Sequence, residues 1–362
     1  MTIPHVDVKA QYAPLIEDLK DRLGAVVDSG RFILGPEVRA FEGEAAAYLG
    51  VADAVGVANG TDALVLVLDA LGVGPGDEVI CPSFTFFATA EAVSRRGATP
   101  VFCDIDATTL NLDPADAADR VTERTKAILA VHLFGRPAAL GELPDGTPVV
   151  EDAAQAFGAE LEGARAGGLG VAATFSFFPT KNLFGLGDGG LVASRDAEIA
   201  DRVRVLRFHG SRDKERFEVI GYNSRLDELQ AAALRLFLGH VDRWNGERRE
   251  AAARYAELGL GELVELPEDD PGHVYHMYVV RSPERDRIAD ALREAGIGCA
   301  TYYTTPLHLQ PVYAGLTEGS LPETERAARE TIALPLWAGI TEAQQEQVVA
   351  TIRSAVGVGA NA

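Results

Sequence analysis

The sequence has no uncharged apolar run that reaches the roughly 18 residues a membrane-spanning helix needs. Its opening, MTIPHVDVKAQY, lacks the cationic start and apolar stretch of a signal peptide, so a soluble cytoplasmic protein is expected. Cysteine is scarce. Cys81, Cys103 and Cys299 are an odd set with no CxxC spacing, which argues against a disulfide framework and reads as small buried residues in reducing surroundings. Positive charge is short as well: 33 basic against 54 acidic residues give a net charge of −21, which argues against general binding to nucleic acid or to an anionic membrane. An anionic small molecule needs only a local cationic patch, and Arg207, Arg212, Lys214, Arg216 and Arg225 form the densest candidate. A solvated basic loop accounts for any one of them equally well. No HExxH occurs, and His273 and His276 stand three apart in a strand-like stretch, off a common face, so no metal site is expected. No GxSxG marks a serine hydrolase.

What is present is enough apolar sequence, 47% of 362 residues, for one large core and a smaller one. Most of the first 240 residues alternate short apolar strands with helical patterns, as in ADAVGVA then TDALVLVLDALG and DEVICP then TFFATAEAVSRRG. That alternation predicts an α/β fold with a mostly parallel sheet covered by helices. Leu226 to Leu258 reads as one long helix, with Leu226, Leu229, Ala233, Leu236 and Val241 near one stripe. Beyond it come VYHMYVVRS, a helix from about Glu284 to Ala295, and a last helix opened by Thr341 with Gln344 in the capping-box position. The expected division is a large domain over 1–245 and a smaller C-terminal α+β domain over 246–362.

Lys181 is the only cationic residue between Arg165 and Arg195, within VAATFSFFPTKNLFGLGDGGLVAS. Burial depresses an ammonium pKa and yields the neutral amine that attacks a carbonyl, so a lysine in such surroundings suits Schiff-base chemistry. A loop lysine snorkelling to solvent is the plainer alternative. TPVVED reads as a buried strand ending in Asp152, at the sheet edge where ligands of open α/β folds bind. A carboxylate there can keep the pyridine nitrogen of pyridoxal phosphate (PLP) protonated, although an Asp also caps helices well. Glu151 beside it is expected on the opposite side of the strand. ANGTDALVLVLDALG offers a phosphate cradle: a strand ending in Asn59 and Gly60, then a helix from Thr61 whose first turn presents free N–H groups. Ser176, five residues before Lys181, adds a hydroxyl. Gly185, Gly187 and Gly190 match G-x-G-x-x-G, but the run follows a lysine loop and opens an apparent strand, GLVAS, which is the wrong context for a dinucleotide site.

With these residues in place the chain resembles the DegT-like (DegT/DnrJ/EryC/StrS) sugar aminotransferases, a PLP-dependent family with the aspartate-aminotransferase type of fold. The resemblance runs nearly end to end, through RFILGPEVRAFE, ANGTDAL, CPSFTFFATAEAV, VEDAAQAFGA, SFFPTKNLFGLGDGG, GYNSRLDELQAA, VYHMYVVR and PLHLQPVY. It implies that Lys181 is the catalytic Schiff-base lysine and Asp152 the partner of the ring nitrogen. It further implies that Gln155 contacts the ring hydroxyl, Phe86 stacks on the cofactor face, and Gly60, Thr61 and Ser176 hold the phosphate. Asn223 is expected to reach that phosphate from the neighbouring subunit of a homodimer with shared sites, and Arg225 to help line the shared site. Tyr303 and His308 fall in the segment that approaches the sugar in relatives, where Tyr302 replaces a frequent histidine.

The activity so implied transfers an amino group from an amino-acid donor, glutamate, to a nucleotide-linked keto-sugar. Relatives that replace the lysine by histidine dehydrate instead, and Lys181 argues against that branch. NLFGLGDGG after the lysine is similar to relatives that aminate C3, whereas many that aminate C4 carry an ITT-and-EGG-like run, so a 3-keto sugar on UDP or dTDP is expected. The competing readings are a 4-keto sugar, a keto-cyclitol, or a sugar-binding regulatory protein without turnover.

Overall fold

The computed structural model describes residues 2–317 and 319–357. Seven strands form the central sheet: β1 (Asp53–Val57), β2 (Glu78–Pro82), β3 (Thr99–Cys103), β4 (Thr125–Val131), β5 (Val149–Asp152), β8 (Ala172–Ser176) and β9 (Gly190–Ser194). A two-residue ribbon, β6 (Glu160–Leu161) and β7 (Ala164–Arg165), lies between β5 and β8 in sequence. The spatial order is β1-β9-β8-β5-β4-β2-β3, with β3, β2, β4, β5 and β8 parallel. Only β9 runs against its neighbours β8 and β1. It is the return arm of the loop that carries Lys181. Helices cover both faces of the sheet, so residues on both faces of a strand are apolar: every residue of β2 and of β9 is buried.

Two segments far apart in sequence are tied by one carboxylate. Glu228, at the start of the Glu228–Leu238 helix, accepts from the N–H groups of Gly35 (2.7 Å), Val38 (3.0 Å) and Glu37 (2.9 Å). It thereby satisfies the open N-terminal turn of the Pro36–Leu49 helix, whose own cap position is a glycine with no side chain to offer.

The long helix expected over 226–258 is two helices, Glu228–Leu238 and Val241–Glu257. Gly239 closes the first and His240 opens the second, with the His240 N–H turned back onto the Phe237 carbonyl. The apolar stripe survives the break because Ala233, Leu236 and Val241 are all buried against the same core. Residue 245 falls inside the second helix, whose later residues Ala251, Ala252 and Tyr255 belong to a second core with Tyr278, Val280, Ile288, Ile332 and Ile352. Ile3 joins that core too and bridges Ile297, so this early segment packs against the C-terminal unit. That unit is built on an antiparallel pair, β10 (Tyr278–Arg281) and β11 (Thr331–Leu334), with the Arg285–Glu294 helix and the final Glu342–Gly357 helix. The capping box is formed: Thr341 N–H donates to Gln344 Oε1 (2.9 Å) and Gln344 N–H to Thr341 Oγ1 (3.3 Å). No helix among the described residues is long and apolar enough to cross a membrane.

Candidate active site

The carboxyl ends of β5 and β8, the turn after β1 and the C-terminal unit enclose a cavity of about 680 Å³. That size suits a small molecule or cofactor. Its wall includes Gly60, Thr61, Phe86, Asp152, Gln155, Ser176, Lys181, Tyr302 and Tyr303, so eight of the expected site residues and Tyr302 beside them meet in one place.

Lys181 is held by what flanks it. Before it, the Phe177 ring packs edge-on against Phe41 and the Phe177 N–H reaches the Gly189 carbonyl (2.8 Å), closing the loop at its neck. After it, the Asn182 amide donates to Asn245 (2.7 Å) and to the Val274 carbonyl (2.9 Å), while Phe184 lies buried against Phe237 and Trp244. The lysine itself is half-buried on the cavity wall, and burial pushes its ammonium down from 10.5 to about 8. Asp152, with opposite charge, raises it again only in part.

Asp152 ends β5 and is 6% exposed. Burial pushes its carboxyl pKa up, against the pull of the Thr89 hydroxyl, the Ala154 N–H and the Lys181 charge. Its neighbour Glu151 points the other way, pairs with His132 Nε2 (2.9 Å) and accepts from the N–H groups of Gly167, Leu169 and Gly170. The two carboxylates therefore do different work on the two faces of one strand.

Asn59 caps the Gly60–Ala70 helix: its side chain accepts from the Asp62 N–H (2.8 Å) and its carbonyl from Ala63 (3.1 Å). This leaves the N–H groups of Gly60 and Thr61, on the cavity wall, at the positive end of an 11-residue helix. A Cβ at Gly60 would stand 2.8 Å from the Ser176 Cβ, so glycine lets the two phosphate-cradle candidates close on each other. Gly190 has a similar purpose. A Cβ there would lie 2.4 Å from the Asn59 carbonyl oxygen, which accounts for one glycine of the G-x-G-x-x-G run without a dinucleotide.

Gln155 has its side chain fixed at both ends. Its Oε1 accepts from the Phe134 N–H (2.8 Å) and its Nε2 donates to the Tyr303 hydroxyl (3.2 Å). Tyr303 stacks on Phe134, and Phe86 presents a 58% exposed ring to the same opening.

Three expected residues lie off this wall. His308 is buried, with Nδ1 2.7 Å from the Ser83 hydroxyl and Nε2 3.6 Å from Glu325, the environment of a core histidine. Asn223 is exposed and bridges Phe208, and the Arg225 guanidinium sits 5.9 Å from the Phe208 ring centre. Two of the five residues of the basic patch are paired: Arg207 is buried on Glu42 and the Gly56 carbonyl, and Arg212 pairs with Asp201 and Glu218.

The structure adds a residue that sequence reasoning weighed only as a metal ligand. His276 is 2% exposed, lines the cavity, and has neither ring nitrogen hydrogen-bonded. Burial, and then the nearby Lys181 charge, hold its pKa well below the usual histidine range. Its place in YHMY, polar among apolar neighbours, was the available signal. No cluster of three or more metal-ligating side chains occurs among the described residues.

A family model for the DegT/DnrJ/EryC1/StrS aminotransferases matches residues 15–353. The chain is 48% identical to a "pleiotropic regulatory protein" of Geobacillus stearothermophilus, over 97% of this chain and 98% of that one. It is 46% identical to a dTDP-3-amino-3,4,6-trideoxy-alpha-D-glucose transaminase of Streptomyces venezuelae, over 97% and 95%. A UDP-N-acetyl-3-dehydro-alpha-D-glucosamine 3-aminotransferase of Acidithiobacillus ferrooxidans is 44% identical over 97% of each chain. Among solved structures, S. venezuelae DesV in complex with a ketimine intermediate superposes with a TM-score of 0.93 at 46% identity, covering 98% of both chains. With Lys181, Asp152 and the Gly60–Thr61 turn gathered on one cavity, the chain belongs to the DegT/DnrJ/EryC1/StrS aminotransferase family and is a PLP-dependent transaminase.

Proposed function

We propose that the chain moves an amino group from glutamate to a 3-keto sugar carried on UDP or dTDP, in a soluble cytoplasmic homodimer. The observation that carries the chemistry is the pairing, on one cavity wall, of a lysine pushed toward neutrality with a buried acid. The residues present fit PLP. The Gly60 and Thr61 N–H groups and the Ser176 hydroxyl suit its phosphate, the Gln155 amide its ring oxygen, Asp152 its ring nitrogen, and Lys181 would hold it covalently. PLP supplies an electron sink for the pair left behind when a proton leaves the amino-bearing carbon.

The chain's own residues do the rest. Lys181, about half neutral at pH 8, would carry a proton from the donor's α-carbon to the cofactor in the first half-reaction and from the cofactor to the sugar's former carbonyl carbon in the second. Asp152 keeps its negative charge opposite the ring nitrogen once that nitrogen's positive charge offsets the burial penalty. Phe86 and Tyr303 shape the opening through which the sugar approaches.

Amination at C3 is supported by two relatives whose names place the amino group there, one on dTDP and one on UDP. The regulatory name of another relative does not weaken the catalytic reading, because this chain keeps both Lys181 and Asp152. Two subunits sharing a site fits the exposed Phe217 (60%) and Ile220 (94%), which flank Asn223 on a surface away from the chain's own cavity. The deciding experiment is amine transfer from glutamate to matched UDP- and dTDP-linked 3-keto and 4-keto sugars and a keto-cyclitol. A higher kcat/KM for the 3-keto sugars is expected; a clear preference for a 4-keto sugar or the cyclitol overturns the assignment.

A further inference from the structure

We infer that Thr89 is a positioning residue that orients and holds the charge of Asp152, through a directed hydroxyl chain starting at Thr85. The inference rests on the proposed role of Asp152 as partner of the cofactor's ring nitrogen. Thr89 lies in the first turn of the Ala88–Arg95 helix, is 1% exposed, and donates from Oγ1 to Asp152 Oδ2 at 2.8 Å. A helical threonine commonly spends its hydroxyl on the carbonyl of the preceding turn. Here the bond reaches across 63 residues to a buried carboxylate instead.

Proton counting gives the chain its direction. Thr85 Oγ1 stands 3.3 Å from Thr89 Oγ1, and Thr89 has a single hydroxyl proton, already committed to the ionised Asp152. Thr85 is therefore the donor to Thr89, which polarises the second bond and strengthens it. On the other side, the Ala154 N–H donates to Oδ1 at the longer distance of 3.3 Å. Thr89 thus makes the shorter of the two bonds that hold the carboxylate, and it fixes the plane in which Oδ1 and Oδ2 lie. Thr89 itself is not on the cavity wall, so it acts through Asp152. Phe86, just before the helix, accepts the Thr89 N–H at its carbonyl (3.3 Å) and is on the wall, so one segment carries both the ring at the opening and the residue that holds the acid.

The other groups that bear on Asp152 are few. Lys181 from the loop after β8 and His132 from the end of β4 favour its charged form, and the Asp152 charge in turn helps hold the Tyr303 hydroxyl protonated. Thr89 counts most among the groups opposing the burial penalty.

The test uses the PLP-loaded protein and three variants: Thr89→Val, which keeps the shape and deletes the hydroxyl, Thr89→Ala as a second deletion, and Thr89→Ser, which restores the donor. The readout is the acid-side midpoint of the pH-dependent change in the visible absorption of bound PLP, with cofactor content measured alongside. Loss of one donor to the carboxylate raises the pH at which it protonates, so the midpoint should rise by about 0.5 to 1 pH unit in Thr89→Val and Thr89→Ala. Thr89→Ser should return it to the wild-type value. A merely structural role would lower cofactor content or thermal stability and leave the midpoint in place. An unmoved midpoint in a loaded deletion variant, or Thr89→Ser behaving like Thr89→Val, would overturn the inference. Absence of any visible band from the wild-type protein would instead sink the cofactor assignment beneath it.

Discussion

Removing Lys181 should stabilise the cofactor-free protein. Lys181 is driven from 10.5 to about 8, chiefly by burial. At about 1.36 kcal/mol per pH unit, that fall corresponds to roughly 3 kcal/mol of unfavourable interaction for the charged form. The sign is fixed by proton binding: between pH 8 and 10.5 the unfolded chain holds a proton that the folded chain lacks, so stability rises with pH across that window. Below pH 8 the penalty is present in full. Lys181→Met nearly conserves side-chain volume and abolishes it. Two things reduce the gain: the lysine still faces the cavity, and its loss removes a cation that favours the charge on Asp152. The expected gain is therefore about 1 to 3 kcal/mol at pH 7, shrinking as the pH approaches 10. Urea unfolding of both cofactor-free proteins at equal concentration, at pH 7 and again near pH 9.5, measures it. A variant less stable than wild type at pH 7, or a gap that ignores pH, would refute the reasoning.

Asp152→Asn should fold and still take up PLP, yet turn over at least a hundredfold more slowly, since an amide gives no charge to hold the ring nitrogen protonated; unchanged turnover under saturating PLP would count against that role. Mixing inactive Lys181→Ala and Asn223→Ala chains should restore part of the activity, because one site of the hybrid receives both intact residues. If subunits exchange and nothing returns, each site is built within one chain.

The parts of the site that were legible in the sequence are those whose signal is local. Lys181 stood out because 29 consecutive residues around it hold no other cation, Asp152 because it closes a run of strand residues, and Gly60 because a strand, a glycine and a helix follow one another directly. What stayed hidden depends on contacts between distant segments. Thr89 looks like any helical threonine until β5 brings Asp152 to it. His308 passes for a sugar contact in its own segment, and only the fold shows Ser83, 225 residues earlier, holding it in the core. Arg207 reads as part of a cationic patch because Glu42, 165 residues away, leaves no mark near it. The helix break at Gly239 was missed for a different reason: the apolar period continues across it, and a single glycine is a weak stop signal beside an unbroken stripe.

The same contrast bears on what selects the sugar carbon. NLFGLGDGG follows the reacting lysine directly, and a displacement of about 1 Å near the reacting atoms can cost about a hundredfold in rate. Yet most of that run faces inward: Asn182, Leu183, Phe184 and Gly185 are buried, and the Leu186 N–H is tied to Gln230 Oε1 at 2.7 Å. Past Lys181, Asp188 is the member of the run that reaches the cavity wall among the described residues. The loop therefore fixes where the Lys181 amine sits, through Asn182 and Phe184 on the core side, and on the proposed chemistry it would bear on regiochemistry chiefly in that way. On the proposed chemistry, direct choice between carbonyls would then fall to side chains on the cavity wall, among them Phe86, Tyr302, Tyr303 and Asp188. Because the anchors of the loop are core residues, the lysine's position is set by packing.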